Sequence, residues 1–228
     1  MLVYTFIPMA AAIIGALVAV YFSPSPRAVS AFQHLAGGVV FAAAAGELLP
    51  EILEQSHTMP ILIGGSIGIA VTTLIKILDE YYGEASSFIV SVAFDTLIDG
   101  MIIGLGFVAG SAQGLLLTFA LSLEVLFLGL ALTSSLSRLY SSAAIIGISV
   151  FIGAMLPIGA GLGLMAAALP PAVITGGYAF GLIALLYLVT EELLVEAHAH
   201  PQNDSPFITA LFFIGFLGVV LLEHAIRH

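Results

Sequence analysis

The sequence predicts an all-α integral membrane protein of eight transmembrane helices, and three observations lead there. The chain is 61% hydrophobic and only 8% charged, with a mean hydropathy of +1.19, whereas a soluble domain carries roughly a quarter charged residues. Its apolar residues run in blocks of about the 20 that a helix needs to cross a bilayer. Between the blocks stand only short clusters of proline, serine and charge, so 1–228 reads as a single transmembrane domain. A soluble helical bundle is excluded, because these helices have no polar face.

In order, the spans fall at roughly 1–22, 27–48, 60–78, 87–109, 112–135, 143–168, 171–197 and 206–226. The first opens on MLVYTFIPMA, which has neither a basic n-region nor a small-residue cleavage site and so reads as a span, not a signal peptide. The breaks are SPSP (23–26), QSHTMP (55–60), DEYYGEA (79–85), GSAQG (110–114), SRLYSS (137–142), LPP (169–171) and HPQNDSP (200–206). Arg27, Lys76 and Arg138 gather at the side shared by the odd-numbered loops and Arg227 lies at the other. The positive-inside rule then places both termini outside. GELLPEILEQSH (46–57) ends the second span and EELLVEAHAH (191–200) ends the seventh, aligning Glu47 with Glu192 and Glu51 with Glu196. Those two ends lie on opposite sides, the pattern of an inverted repeat relating helices 1–3 to helices 6–8 around a central helix 4–5 hairpin.

Charge narrows the function. Fourteen acids against four bases give a net charge of −10, which excludes nucleic-acid partners, since these need basic patches, and suits cationic ligands. The absence of cysteine excludes thiolate metal sites, disulfides and cysteine nucleophiles.

FDTLIDGMIIG (94–104) places Asp95 and Asp99 near the centre of the fourth span, four apart and hence on one face. If the hairpin turns near residue 111 or 112, Glu124 in the fifth span stands at the depth of Asp99, with Asp95 one turn nearer the cytoplasm. Ser91 and Ser87 continue the Asp95 face inward. No lysine or arginine lies near these acids in sequence. An acid at the bilayer centre costs about 2.5–3.5 kcal/mol on the more lenient scale, and three carboxylates repel one another unless a cation or protons neutralise them. Packing alone would be served more cheaply by serine or asparagine. The expectation is a cation site in which metal and proton compete for the same oxygens. An intramembrane aspartyl protease fits poorly, because the two aspartates share one helix and GLGF (104–107) has Phe107 where a GxGD motif needs aspartate. No enzymatic activity and no resident cofactor are expected.

The whole chain resembles the ZIP family of divalent-metal transporters. The resemblance is carried by IPMAAAIIGALVAVYF in the first helix, HLAGGVVFAAAAGELLPE (34–51) in the second, GLIALLYLVTEELLVEAH (181–198) in the seventh and FFIGFLGVVLLE (212–223) in the eighth. The family's fourth and fifth helices read H-N-x-P-E-G. Here Asp95 and Asp99 stand at the histidine and glutamate positions of the fourth, Glu124 at the histidine of the fifth, and Leu128 where its glutamate would be. Both helix-kinking prolines are missing, and Leu156 precedes Pro157 where the family often has glutamate. Carboxylates in place of imidazoles favour harder cations, so manganese, iron(II), magnesium and calcium suit the site as well as zinc does. A bridged two-metal site is not expected.

The resemblance further implies movement of metal toward the cytoplasm across a cell membrane by an elevator-like displacement. Helices one, four, five and six would carry the metal, and two, three, seven and eight would supply scaffold and a homodimer contact. It makes Glu47 an entrance residue and Glu191 and Glu192 lining of the inner exit. Glu51, Glu54 and His57 read as a solvated helix end, and Asp79, Glu80 and Glu84 as an acidic loop. His34 reads as a packing histidine. Glu196, His198 and His200 would make a weak cytoplasmic metal site in a non-helical loop. The alternative class is a metal sensor or proton-conducting membrane protein of the same fold that carries no metal.

Overall fold

The protein is described by a computed structural model covering residues 2–22, 25–54, 58–82, 85–137, 139–198 and 205–227. His57, Glu84, Arg138 and His200 lie outside the described residues, as do the side chains of Asp79, Glu80, Ser87, Ser91, Glu196 and Arg227.

Among the described residues the chain is helical, with no strand, and eight helices are long and apolar enough to cross a membrane. By length and composition this is a multi-pass membrane protein. After a 3-10 turn at Leu2–Thr5 come α1 (Phe6–Phe22), α2 (Pro26–Leu53), α3 (Thr58–Tyr82), α4 (Ala85–Ala109), α5 (Ser111–Leu136), α6 (Ser142–Met165), α7 (171–197) and α8 (Pro206–Arg227). Each matches an expected span. α3 runs through Asp79 and Glu80 to Tyr82, so the acidic break between the third and fourth spans is shorter than its polarity suggests.

The starts follow local chemistry. Ser25 precedes Pro26, and its hydroxyl accepts the Ala28 amide at 3.3 Å, capping α2. Ser141 caps α6 in the same way through the Ala144 amide, at 3.4 Å. α4 and α5 are separated by Gly110 alone, whose extended backbone makes the whole turn.

Two helices are not regular throughout. α2 contains a π-turn at Ala44–Leu48 and α7 another at Leu188–Leu193. A π-turn admits one extra residue and rotates whatever follows it, and such turns concentrate at functional places. Glu47 sits in the first and Glu191 and Glu192 in the second.

Packing is organised by small residues. α4 lies along α6, α1 along α5, α2 along α8 and α3 along α7. In each pair a glycine lets the backbones meet. A methyl group on Gly159 of α6 would run into the Leu97 carbonyl of α4, and one on Gly15 of α1 into the Leu126 carbonyl of α5. Gly38 meets Phe212 of α8, and Gly64 of α3 meets Gly176 of α7, in the same way. Close backbone approach of this kind drives helix association in lipid, where burying apolar surface contributes little. The largest core joins the two halves: Val40 and Leu48 of α2, Ile102 of α4, Leu121 and Val125 of α5 and Leu185 of α7 are buried together. A smaller cluster of Val92, Leu132, Ile145 and Ile152 ties α4, α5 and α6. α3 and α8 are the least buried spans.

Candidate functional site

Asp99 on α4 and Glu124 on α5 are buried, with 2% and 1% of their surface exposed, and Asp95 is half-buried. The sharpness of the Gly110 turn revises their relative depths. Counted from Gly110, Asp99 lies eleven residues back and Glu124 fourteen on, an offset of about 4–5 Å by helix rise. Asp95, fifteen back, is the residue level with Glu124. The expected pairing of Asp99 with Glu124 at one depth assumed a turn near 111 or 112, and helix α5 already begins at Ser111.

The acids form a stepped group. Asp99 lies within electrostatic reach of Asp95, Glu124 and Glu192, and Glu124 within reach of Asp95 and Glu192. Glu192, exposed in the π-turn of α7, adds its charge to theirs. Among the described residues, however, no three of these carboxylates or histidines come together as closely as the ligands of one ion. The expected convergence is therefore a neighbourhood and not a formed coordination shell, because the steps along α4 separate the donors.

The immediate surroundings offer these acids little. Oδ2 of Asp99 and Oε2 of Glu124 are buried without a hydrogen-bond partner. Hydroxyls along α4, α5 and α6 are engaged by their own helices. Thr96 donates to the Val92 carbonyl at 2.7 Å, Ser122 to Thr118 at 2.5 Å and Ser149 to Ile145 at 3.0 Å. Such bonds back to residue i−4 satisfy the hydroxyl within its helix. A cavity of about 10 Å³ lies between α1, α4, α5 and α6, lined by Ala12, Thr96, Gly129 and Ser149 among others, which is the room of about one water molecule. The only lysine, Lys76 of α3, is paired with Glu191 at 2.8 Å and lies 5.8 Å from the Tyr187 ring centre.

The remaining expected residues are dispersed. Glu47 is buried (3% exposed) in the α2 π-turn, a more enclosed place than a solvated helix end, and Glu223 of α8 approaches neighbouring Gly46. Glu191 is exposed and held by Lys76, and Glu192 is exposed. Glu51 is half-buried and Glu54 exposed. His34 is fully buried and stacks edge-on against His198 with ring centres 4.8 Å apart. That partner had no signal in the sequence, since the two histidines are 164 positions apart.

No protein-family model matches this chain, and no curated protein matches it either.

Proposed function

We propose that the protein is a ZIP-like membrane transporter that takes divalent metal cations across the bilayer as substrate, through the carboxylates of α4 and α5. The observation that carries this reading is the pair of orphaned oxygens on Asp99 and Glu124, buried in adjacent helices. A buried charge without a partner is costly, and a cation is the partner that suits several acids at once. Oxygen donors favour hard ions such as manganese, magnesium or calcium, and also accept iron(II) and zinc. Asp95 and Glu192 would hand the ion along the stepped path, with Glu47 at the outer approach. Because the donors stand apart in this conformation, tight coordination would require one group of helices to shift against the other.

Packing supports an inverted repeat. Exchanging α1 with α6, α2 with α7, α3 with α8 and α4 with α5 carries the α4–α6 pair onto α5–α1 and the α2–α8 pair onto α7–α3. The two π-turns lie on helices that the same exchange relates. Such repeats accompany alternating access around a site near the midplane. The bundle of α1, α4, α5 and α6 would then be the moving part and α2, α3, α7 and α8 the frame, with sparsely buried α3 and α8 available for lipid or a second copy. Termini outside, in a cell membrane, and metal movement toward the cytoplasm complete the reading.

The test is uptake into proteoliposomes from a panel of divalent metals, comparing the wild type with Asp99→Asn. Saturable uptake of at least one metal, abolished by the substitution, is expected. A folded protein that moves no metal overturns the transporter. That no three donors gather among the described residues favours the second reading, a metal sensor or proton pathway, and an acid-driven proton current without metal would establish the latter.

A further inference from the structure

Glu191 and Glu192 are neighbours in the α7 π-turn Leu188–Leu193, yet their charges act in different places. Glu192 lies within electrostatic reach of both Asp99 and Glu124. Glu191 is held on the side of α3, where its Oε2 meets Nζ of Lys76 at 2.8 Å. The same ammonium lies 5.8 Å from the ring centre of Tyr187, the residue immediately before the π-turn. Lys76 therefore reaches the turn both at its entry and within it.

This is the chain's only lysine, and it stands inside the apolar stretch Thr58–Leu78 of α3. A lysine near the end of a span needs no protein partner, because its long side chain can snorkel to water. Here the side chain turns to α7 instead. The consequence follows from charge. In the proposed path Glu192 hands the ion on from the central acids. Two adjacent bare carboxylates at that place would hold a divalent ion more tightly than one, and an ion held tightly at an exit leaves slowly. A unit charge acting on a divalent ion across roughly 7–12 Å of wet surface changes its affinity about three- to sevenfold.

We propose that Lys76 is a positioning residue of the transport path, which draws Glu191 toward α3 and neutralises it so that, of the two adjacent acids, Glu192 alone acts on the departing ion. The inference rests on the transport reading and adds to it the element that keeps the exit from trapping its cargo. Lys76 works through Glu191 and does not itself touch the metal.

The test compares full-length proteins carrying Lys76→Gln, Glu191→Gln, both substitutions together, and Lys76→Arg. Mn²⁺ affinity in detergent is read from the electron paramagnetic resonance of free Mn²⁺, and Mn²⁺ uptake is measured in proteoliposomes. Lys76→Gln is expected to tighten Mn²⁺ at least threefold and to lower the KM and the maximal rate of uptake together. Adding Glu191→Gln should return each value to within twofold of the wild type, and Lys76→Arg, which keeps the charge, should match the wild type throughout. Glu191→Gln alone leaves the ammonium without that acid and should weaken Mn²⁺ at least threefold, which keeps the question decidable if Lys76→Gln fails to fold. Affinity within twofold of the wild type in both single variants overturns the role, as does a Lys76→Gln effect that survives the removal of Glu191. A lowered thermal midpoint with affinity and KM unchanged also overturns it and makes the pair a structural brace. A wild type that moves no metal overturns the transport reading and the path with it, whereas a transporting wild type with unmoved variants overturns the part of Lys76 alone.

Discussion

Glu124 offers the most informative single perturbation, because function and stability should move in opposite directions there. Its side chain is 1% exposed and one carboxylate oxygen has no partner. Leaving a buried polar atom unsatisfied costs about 1–3 kcal/mol. Glu124→Met keeps length and bulk and removes that atom, so the folded state should gain stability of that order. For a chain of this size about 1 kcal/mol shifts a thermal midpoint by roughly 2–4 °C, so a rise of roughly 2–12 °C is expected in detergent. Metal uptake should fall at least 100-fold, which corresponds to about 2.7 kcal/mol at 1.36 kcal/mol per decade. Thermal unfolding followed by fluorescence size exclusion, alongside proteoliposome uptake, measures both. A midpoint lowered by several degrees with uptake intact would refute the reasoning and make Glu124 a packing acid.

Four other outcomes are expected. Gly159→Val drives a side chain into the Leu97 backbone, where no rotamer change relieves it. Overpacking costs about 1–3 kcal/mol, and a lowered thermal midpoint should report it. Lys76→Ala breaks the Glu191 pair, but the side chains are 42% and 46% exposed, so the loss should stay below about 1 kcal/mol. Repeating that comparison in 1 M salt, where the screening length is about 3 Å, should erase the difference. Ser30→Ala removes the bond to Ala197, worth about 0.5–1.5 kcal/mol, and hydrogen exchange at 194–198 should accelerate. Glu47→Gln should raise the KM for metal uptake while leaving the maximal rate within twofold, as loss of an approach residue would, and a collapsed maximal rate would move Glu47 into the transport step.

Helix number and boundaries were legible because bilayer thickness imposes a length that composition reveals directly. α7 matches its expected span of 171–197, and the other helices differ from theirs by a few residues. The placing of Asp99 and Glu124 inside the bundle was also legible, since charge stands out against an apolar run. Their mutual arrangement was less so. Gly110 closes the α4–α5 turn in a single residue, and shifting a hairpin pivot by one or two residues decides which acids are level. The faces presented by Glu47 and Glu192 could not be read from a 3.6-residue period, because a π-turn interrupts each helix at that place.

By itself, then, the sequence determined eight segments long and apolar enough to cross a membrane, with acids inside the fourth and fifth. Local hydrophobicity and proline or serine breaks are properties of short segments. Only the tertiary structure decided which glycine faces meet, that Glu191 pairs with Lys76, and that His34 finds His198. Those are contacts between residues distant along the chain. Gly15, Gly38, Gly64 and Gly159 resemble the chain's other glycines until a neighbouring backbone comes to rest against them.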